Sequence, residues 1–321
     1  MIDITLENLQ TELIEASMRQ PVLLDIWAPW CGPCKSLGPV LEKLETAYGG
    51  RFLLAKLNSD EQPEIAGQLS QAFGVRSIPF CVMFSQGQPV DGFVGAVPEA
   101  DIRAFLDKHV PTEDAQEAEA ELEAAEELLE SGGDVGTVLA KLQEAVALDP
   151  ANDAARLDLI KLLLDLARDD ARCVAEARAV FEPAAPKVLS DARFSAVEHW
   201  LKAAEVALTA RPLSELDAAI ATSKRDFAAR FERAQCLFAA GARTEAMDEL
   251  LEIVMRDKAW NHEAARKTYV AILELMTKPV PKPAAEVPGS KPTLEIAGKA
   301  AVAHSDPLLD QYRRKLSMAL F

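Results

Sequence analysis

The chain has 321 residues, 49% of them hydrophobic and 26% charged, with a formal charge of −17 at pH 7. That length implies two or three domains with core enough to fold, and the acidic balance argues against nucleic acid, whose phosphates want clustered Lys and Arg. No stretch approaches about 20 uninterrupted apolar residues, and residues 1–20 lack a basic start followed by an apolar run, so the expectation is a soluble, cytoplasmic protein without a membrane span.

In chain order, residues 2–5 read as a short strand and 7–19 as a helix with apolar spacing at Leu9, Leu13 and Met18. Residues 22–28 form a central strand, apolar on both faces as parallel strands are. It runs into Trp30-Cys31-Gly32-Pro33-Cys34, and the helix that follows reaches about Tyr48, where Gly49-Gly50 ends it. Further strands are expected over 52–58, 80–85 and 90–94, the last two a hairpin around Gln86-Gly87-Gln88-Pro89, with helices over 64–73 and 99–110. The result is a mixed sheet with helices on both faces.

Two thiols separated by two residues at a strand-to-helix join can close a readily reducible disulfide and reopen it. A Cys at the first helical turn points its sulfur at unpaired backbone N–H groups and the positive end of the helix dipole, which favours the thiolate. Cys31 is therefore the candidate nucleophile. Cys34, one turn on and on the same helical face, is placed to attack a mixed disulfide formed at Cys31. Gly32 and Pro33 suit the tight entry into a helix. The competing reading, half of a zinc site, lacks a partner motif: Cys81, Cys173, Cys236 and the four scattered His form no second pair. No metal is expected, and no cofactor beyond the redox-active Cys31–Cys34 disulfide. Five Cys with a single close pair fit a reducing compartment.

On these residues the first ~110 positions resemble thioredoxin. The resemblance implies that Asp25, in the strand before the motif, is the family's buried carboxylate and that Lys56 is the lysine near it, the two helping to move the proton off the resolving thiol. It implies that Ile78-Pro79 is the cis-proline that presents backbone to an incoming peptide. By the same resemblance, Trp27 and Trp30 are expected to flank the site, Pro39 matches the proline that kinks the family's active-site helix, and Gly92 falls near the glycine that closes the rim. Cys81, two residues past the proline and on its face by strand alternation, is either a buried small hydrophobe or a regulatory thiol.

After Pro111 the composition changes. Nine acids between Glu113 and Glu130, with no Lys or Arg among them, alternate with Ala115, Ala118, Leu122, Ala125 and Leu129 at helical spacing. This is a helix whose acidic face either keeps the protein soluble or attracts basic, unfolded segments. Helices are then expected over 134–148, 152–168, 170–182, 190–210, 213–222, 224–240, 243–257 and 262–276, joined by short turns. Residues 136–167 and 230–275 resemble tetratricopeptide repeats, with small residues at helix contacts and joins such as Asp149-Pro150. The register around 184–211 is not fixed by the pattern. Stacked hairpins of this kind either leave a groove for polypeptides or serve as a structural or dimerising domain.

The domain plan is thus residues 1–111, an α/β thioredoxin fold; 112–276, an all-α tetratricopeptide-like repeat domain; 277–305, a Pro-rich linker; and 306–321, a terminal amphipathic helix. In that helix Asp306 can cap, Pro307 can take the first position, and Leu308, Leu309, Tyr312, Leu316, Ala319 and Leu320 form an apolar stripe. It can dock on its own helical domain or on another protein.

The order of domains, ending in Asp-Pro-Leu and then Tyr-Arg-Arg-Lys-Leu, resembles the bacterial thioredoxin-plus-tetratricopeptide proteins known as chaperedoxins. That resemblance implies a stress-response chaperone that holds unfolding or oxidised client proteins and protects their cysteines by mixed disulfides. It implies hand-over to the GroEL chaperonin, with Tyr312, Arg313, Arg314 and Leu316 as candidate docking residues, and recycling by thioredoxin reductase. The alternative is a disulfide reductase whose repeats only select substrates.

Overall fold

The computed structural model describes residues 2–277 and 306–320. They form two compact units, the first ending at Glu117 and the second beginning at Ala118. The linker expected over 277–305 lies outside the described residues apart from Thr277.

The first unit is built on a five-stranded sheet of order β1-β3-β2-β4-β5, with β1 at Ile2–Asp3, β2 at Val22–Trp27, β3 at Leu53–Asn58, β4 at Phe80–Ser85 and β5 at Gln88–Val94. Strand β2 lies parallel to β3 and antiparallel to β4, and Asp25 stands opposite Lys56 on one side and Cys81 on the other. The two-residue period of β2 divides its side chains between two cores. Val22, Leu24 and Ile26 face Ile65 and Ala66 of helix α2 (Pro63–Phe73), whereas Leu23 faces Leu37 and Leu41 of helix α1 (Gly32–Ala47) and Ile102 and Leu106 of helix α3 (Glu99–His109). By the same period Asp25 falls on the α1 side, under the dithiol.

The segment expected as a helix over 7–19 is a wide π-helical turn at Leu9–Glu15 followed by a 3₁₀ turn at Ala16–Met18. Leu13 is buried, but Met18 is 43% exposed. The cause is polar: Ser17 turns inward so that its carbonyl and hydroxyl accept the N–H groups of Gln86 and Gly87 at 2.8 and 3.1 Å. Those two residues alone make the β4–β5 turn, both at positive φ (51° and 74°), the twist that two-residue hairpins favour. Strand β5 therefore starts at Gln88, earlier than the expected residue 90, and tolerates Pro89 because it is an edge strand.

The second unit is helical, and begins within α4 (Glu113–Glu130), which buries Ala118, Leu122 and Ala125. Beside that stripe α4 carries an ion pair: Lys141 of the next helix binds Glu121 at 2.7 Å. Next come α5 (Val135–Leu148), α6 (Asp153–Leu166), α7 (Arg172–Phe181), α8 (Ala192–Ala207), α9 (Leu213–Thr222), α10 (Phe227–Ala239), α11 (Arg243–Arg256) and α12 (Trp260–Met276). Asp134, Asn152 and Asp226 cap α5, α6 and α10, each accepting a backbone N–H three residues on. Two departures have local causes. Pro183 and Pro186 hold Glu182–Leu189 as a 3₁₀ segment between α7 and α8. Asn261, His262 and Glu263 take left-handed backbone at the start of α12, so its regular part begins after them.

The core of this unit centres on Trp200, stacked on Phe238 at 6.1 Å between centroids, with Phe181, Phe194 and Tyr269. The terminal helix α13 (Pro307–Leu320) joins that core. It lies on α11 and α12 and buries Leu309, Tyr312 and Leu316, each such side chain contributing on the order of 1.5–3 kcal/mol. Of the two docking modes open to it from sequence, the helix takes its own helical domain. Asp306 caps it through the Leu308 N–H at 2.9 Å.

Candidate functional site

Cys31 is the N-cap of α1, and its Sγ accepts the Cys34 N–H at 3.2 Å. The two sulfurs are joined as a disulfide with Cα atoms 5.3 Å apart, so the described state is the oxidised one. Both cysteines are 4% exposed and pack with Ala28, Trp27 and Ile78. Trp30 is 70% exposed beside them, held by its Nε1–H donating to the Asp60 carboxylate at 3.0 Å. When the disulfide is reduced, the N-cap position places the Cys31 sulfur among the free N–H groups of α1, which favours its thiolate.

Beneath the dithiol Asp25 is 2% exposed. Burial pushes its carboxyl up to about 6, opposed by the nearby Lys56 charge and by a hydrogen bond from the Cys81 thiol, whose Sγ lies 3.8 Å from Oδ1. The Cys81 thiol is pushed well above its usual range by burial and by Asp25. Cys81 is fully buried on the α1 side of the sheet, so of its two readings the structure supports a core thiol, with the addition that it bonds Asp25. The Lys56 ammonium bonds Glu42 of α1 at 2.6 Å rather than Asp25. A cavity of about 200 Å³ is lined by Asp25, Trp27, Cys34, Lys35, Glu42 and Lys56 among others.

Ile78-Pro79 is a cis peptide bond. The rim glycine is not Gly92, which sits within β5 opposite Val82, where a Cβ would come 2.7 Å from the Cys81 carbonyl oxygen. Gly92 permits the close approach of β4 and β5. Gly95, three residues on and at φ 89°, donates its N–H to the Pro79 carbonyl at 2.8 Å and borders the cis-proline. Strand β5 ends at Val94, so Gly92 lies inside it and Gly95 just beyond it.

Glu42, Cys81, Asp60 and Gly95 were not singled out for these roles from sequence. A signal existed for Glu42: Cys34, Gly38 and Glu42 are spaced by four and share a helical face.

The terminal quartet is divided. Tyr312 is 6% and Leu316 8% exposed. The Tyr312 hydroxyl donates to Asp248 at 3.3 Å, its carbonyl accepts the Tyr269 hydroxyl at 2.8 Å, and Lys315 pairs with Asp248 at 2.9 Å. Neither Tyr312 nor Leu316 is offered to a partner while α13 is docked, which corrects the expectation of one four-residue surface. Arg313 and Arg314 remain exposed, Arg313 donating to Thr277 at 3.1 Å. Among the described residues, no group of His, Cys, Asp and Glu is arranged to hold a metal ion, and no helix is long and apolar enough to cross a membrane.

A strand-to-helix dithiol over a buried carboxylate, bordered by a cis-proline, defines a thiol–disulfide exchange domain. Residues 1–108 match the thioredoxin family and residues 207–282 a tetratricopeptide repeat family. The first domain is 46% identical over 104 residues to the thioredoxin of Chlorobaculum thiosulfatiphilum, covering 32% of this chain and 91% of that protein. It is 42% identical over 107 residues to thioredoxin 1 of Synechococcus elongatus, covering 33% and 94%. The chain belongs to the thioredoxin family, and carries a helical tetratricopeptide-type region after its thioredoxin fold.

Proposed function

We propose that the protein is a redox-active chaperone of the chaperedoxin type, working in the bacterial cytoplasm under stress. The observation that carries this reading is the union, in one chain, of a working dithiol with a separate helical-repeat unit that disulfide exchange alone does not require. The helical unit has surface suited to apolar segments: a cavity of about 290 Å³ is lined by Ala167, Val174, Ala204 and Leu208 among others. Clients held there would meet the dithiol as follows. The Cys31 thiolate attacks a client disulfide, forming a mixed disulfide and releasing one client thiolate. Cys34 loses its proton to Asp25 and attacks Cys31, forming the Cys31–Cys34 disulfide and releasing the second thiolate. Two electrons pass to the client, and thioredoxin reductase would return them to the dithiol. Ile78, Pro79 and Trp30 would border the bound peptide, with Gly95 at the rim. Hand-over to GroEL would use the terminal helix.

The test is light scattering from an unfolding, cysteine-free client, comparing wild type with Cys31→Ser/Cys34→Ser. Equal suppression of aggregation is expected, since holding belongs to the helical unit. If neither suppresses aggregation while wild type reduces disulfides, the protein is a reductase whose repeats select substrates. One observation favours that second reading: Tyr312 and Leu316 are covered by intramolecular packing. Tyr312→Ala separates the cases further. Truncating this buried aromatic costs about 3 kcal/mol of docking, so amides of residues 307–320 exchange faster, and chaperonin co-purification changes only if the helix is the docking element.

A further inference from the structure

The thiol-exchange reading assigns Asp25 the proton of Cys34 but leaves Glu42 without a role, although it is the residue bonded to the lysine beneath the site. Asp25 and Lys56 are register partners on adjacent parallel strands, so the Lys56 side chain starts beside the carboxylate and could fold onto it. It extends instead to the Glu42 carboxylate at 2.6 Å. Glu42 stands two helical turns beyond Cys34 on α1. Gly38 between them brings the helix alongside the ammonium, where a Cβ would lie 3.7 Å from Nζ. The Lys56 side chain is 17% exposed and that of Glu42 43%, so the pair runs from the buried floor of the cavity to solvent.

We propose that Glu42 is a positioning residue for proton transfer at the resolving thiol: it holds the Lys56 ammonium at the outer end of the cavity and away from Asp25. The inference rests on the thiol-exchange reading and concerns only how the Cys34 proton is handled. An ammonium lying on Asp25 would stabilise the carboxylate and weaken it as a base. Drawn outward by Glu42, the same charge leaves Asp25 with a proton affinity close to neutrality, fit both to accept the Cys34 proton and to release it. The acceptance step balances simply. Cys34 S–H gives its proton to the Asp25 carboxylate, the thiolate forms the bond to Cys31 Sγ, and the Cys31–client bond breaks with its electron pair leaving on the client sulfur. The proton then leaves Asp25 through the solvent-facing end of the cavity beside Glu42.

The other groups facing Asp25 stay constant when Glu42 is changed. They are the Cys81 thiol from β4 at 3.8 Å, and Cys34 and Lys35 from α1, which line the same cavity. Replacing Glu42 by Gln has two effects of one sign. It removes a negative charge and releases Lys56 toward Asp25, and both lower the Asp25 proton affinity. The Glu42 side chain is half-buried at the solvent-facing end of the cavity, and a thermal melt checks the fold of the variant.

The experiment measures reduction of a protein disulfide by the full chain from roughly pH 5 to pH 9 for wild type, E42Q, K56M and E42Q/K56M. In parallel, the ¹³C shift of the Asp25 carboxyl is titrated in the reduced protein. For E42Q the acidic limb of the rate profile and the carboxyl titration both move to lower pH by about 0.5–1 unit, a three- to tenfold change in proton affinity, and the plateau rate falls, as a weaker base requires. For K56M both move to higher pH. In the K56M background the Glu42 substitution has at most a small effect, because no ammonium remains to be placed. Coincident wild-type and E42Q curves overturn the proposal, as does a shift that survives undiminished in K56M, which would make Glu42 a bare charge acting from a distance. Wild type without exchange at any pH overturns the exchange reading itself.

Discussion

Replacing Cys31 by Ser is expected to lower protein-disulfide turnover by at least about 10³-fold, because a hydroxyl at the helix N-cap is not ionised near neutrality and cannot replace the thiolate. Cys34→Ser is expected to fail differently. Attack by Cys31 still occurs, but the mixed disulfide has no internal thiol to resolve it, so client protein accumulates covalently on Cys31. Non-reducing gels and mass spectrometry of the trapped adduct read the contrast. Retained turnover in Cys31→Ser, or a trapped adduct on Cys34 in wild type, would reverse the assignment of the two sulfurs. The basis is local: Cys31 caps α1 and accepts the Cys34 N–H, whereas Cys34 is inside the helix, above Asp25 and its cavity.

The second large effect is on stability, and its sign is fixed by the same carboxylate. Asp25 is nearly inaccessible, and burial raises its carboxyl from 3.8 to about 6. Between those values the folded protein binds a proton that the unfolded chain has released, so stability falls as pH rises from about 4 to about 6 and stays low above. A shift of about two units corresponds to about 3 kcal/mol. Asp25→Asn, which keeps the volume and removes the charge, is therefore expected to stabilise the thioredoxin unit by up to about 3 kcal/mol at pH 8 and by almost nothing at pH 4. Denaturant unfolding followed by hydrogen exchange of β2 and β4 amides measures it. A gain independent of pH would show that ionisation of Asp25 is not its source. The same variant loses the base for Cys34, so its turnover drops as its stability rises, a trade-off expected where function needs a buried charge.

Much of this was readable from residue pattern. The apolar run from Val22 to Trp27 gave a two-faced central strand, the Gly32-Pro33 entry gave the helix start, and short turns such as Asp149-Pro150 gave the helix positions of the repeat unit. What was not readable depended on partners distant in sequence. Met18 kept helical spacing with Leu9 and Leu13, yet lies outward because Ser17 is claimed by the β4–β5 turn. Lys56 was placed near Asp25 correctly, but its bond to Glu42 needs the crossing of α1 over β3. Gly92 and Gly95 differ only in which side of a strand end they fall. The amphipathic stripe of the terminal helix was plain in sequence, but a stripe does not name its partner. That required Asp248 and Tyr269, both on other helices, to meet Tyr312.

The docked terminal helix also sets a threshold for recognition. A partner that reads Tyr312 or Leu316 competes with an intramolecular occupant whose local concentration does not fall on dilution. If docking is worth about 3 kcal/mol, the helix is free in fewer than roughly 1% of molecules, and apparent affinity for such a partner is weakened by the same factor, about 10². A partner that reads only Arg313 and Arg314 meets no such competition. Salt would weaken binding at the arginines, whereas raising the population of free helix would strengthen binding at Tyr312, so ionic strength and helix-loosening substitutions would distinguish the two modes of engagement.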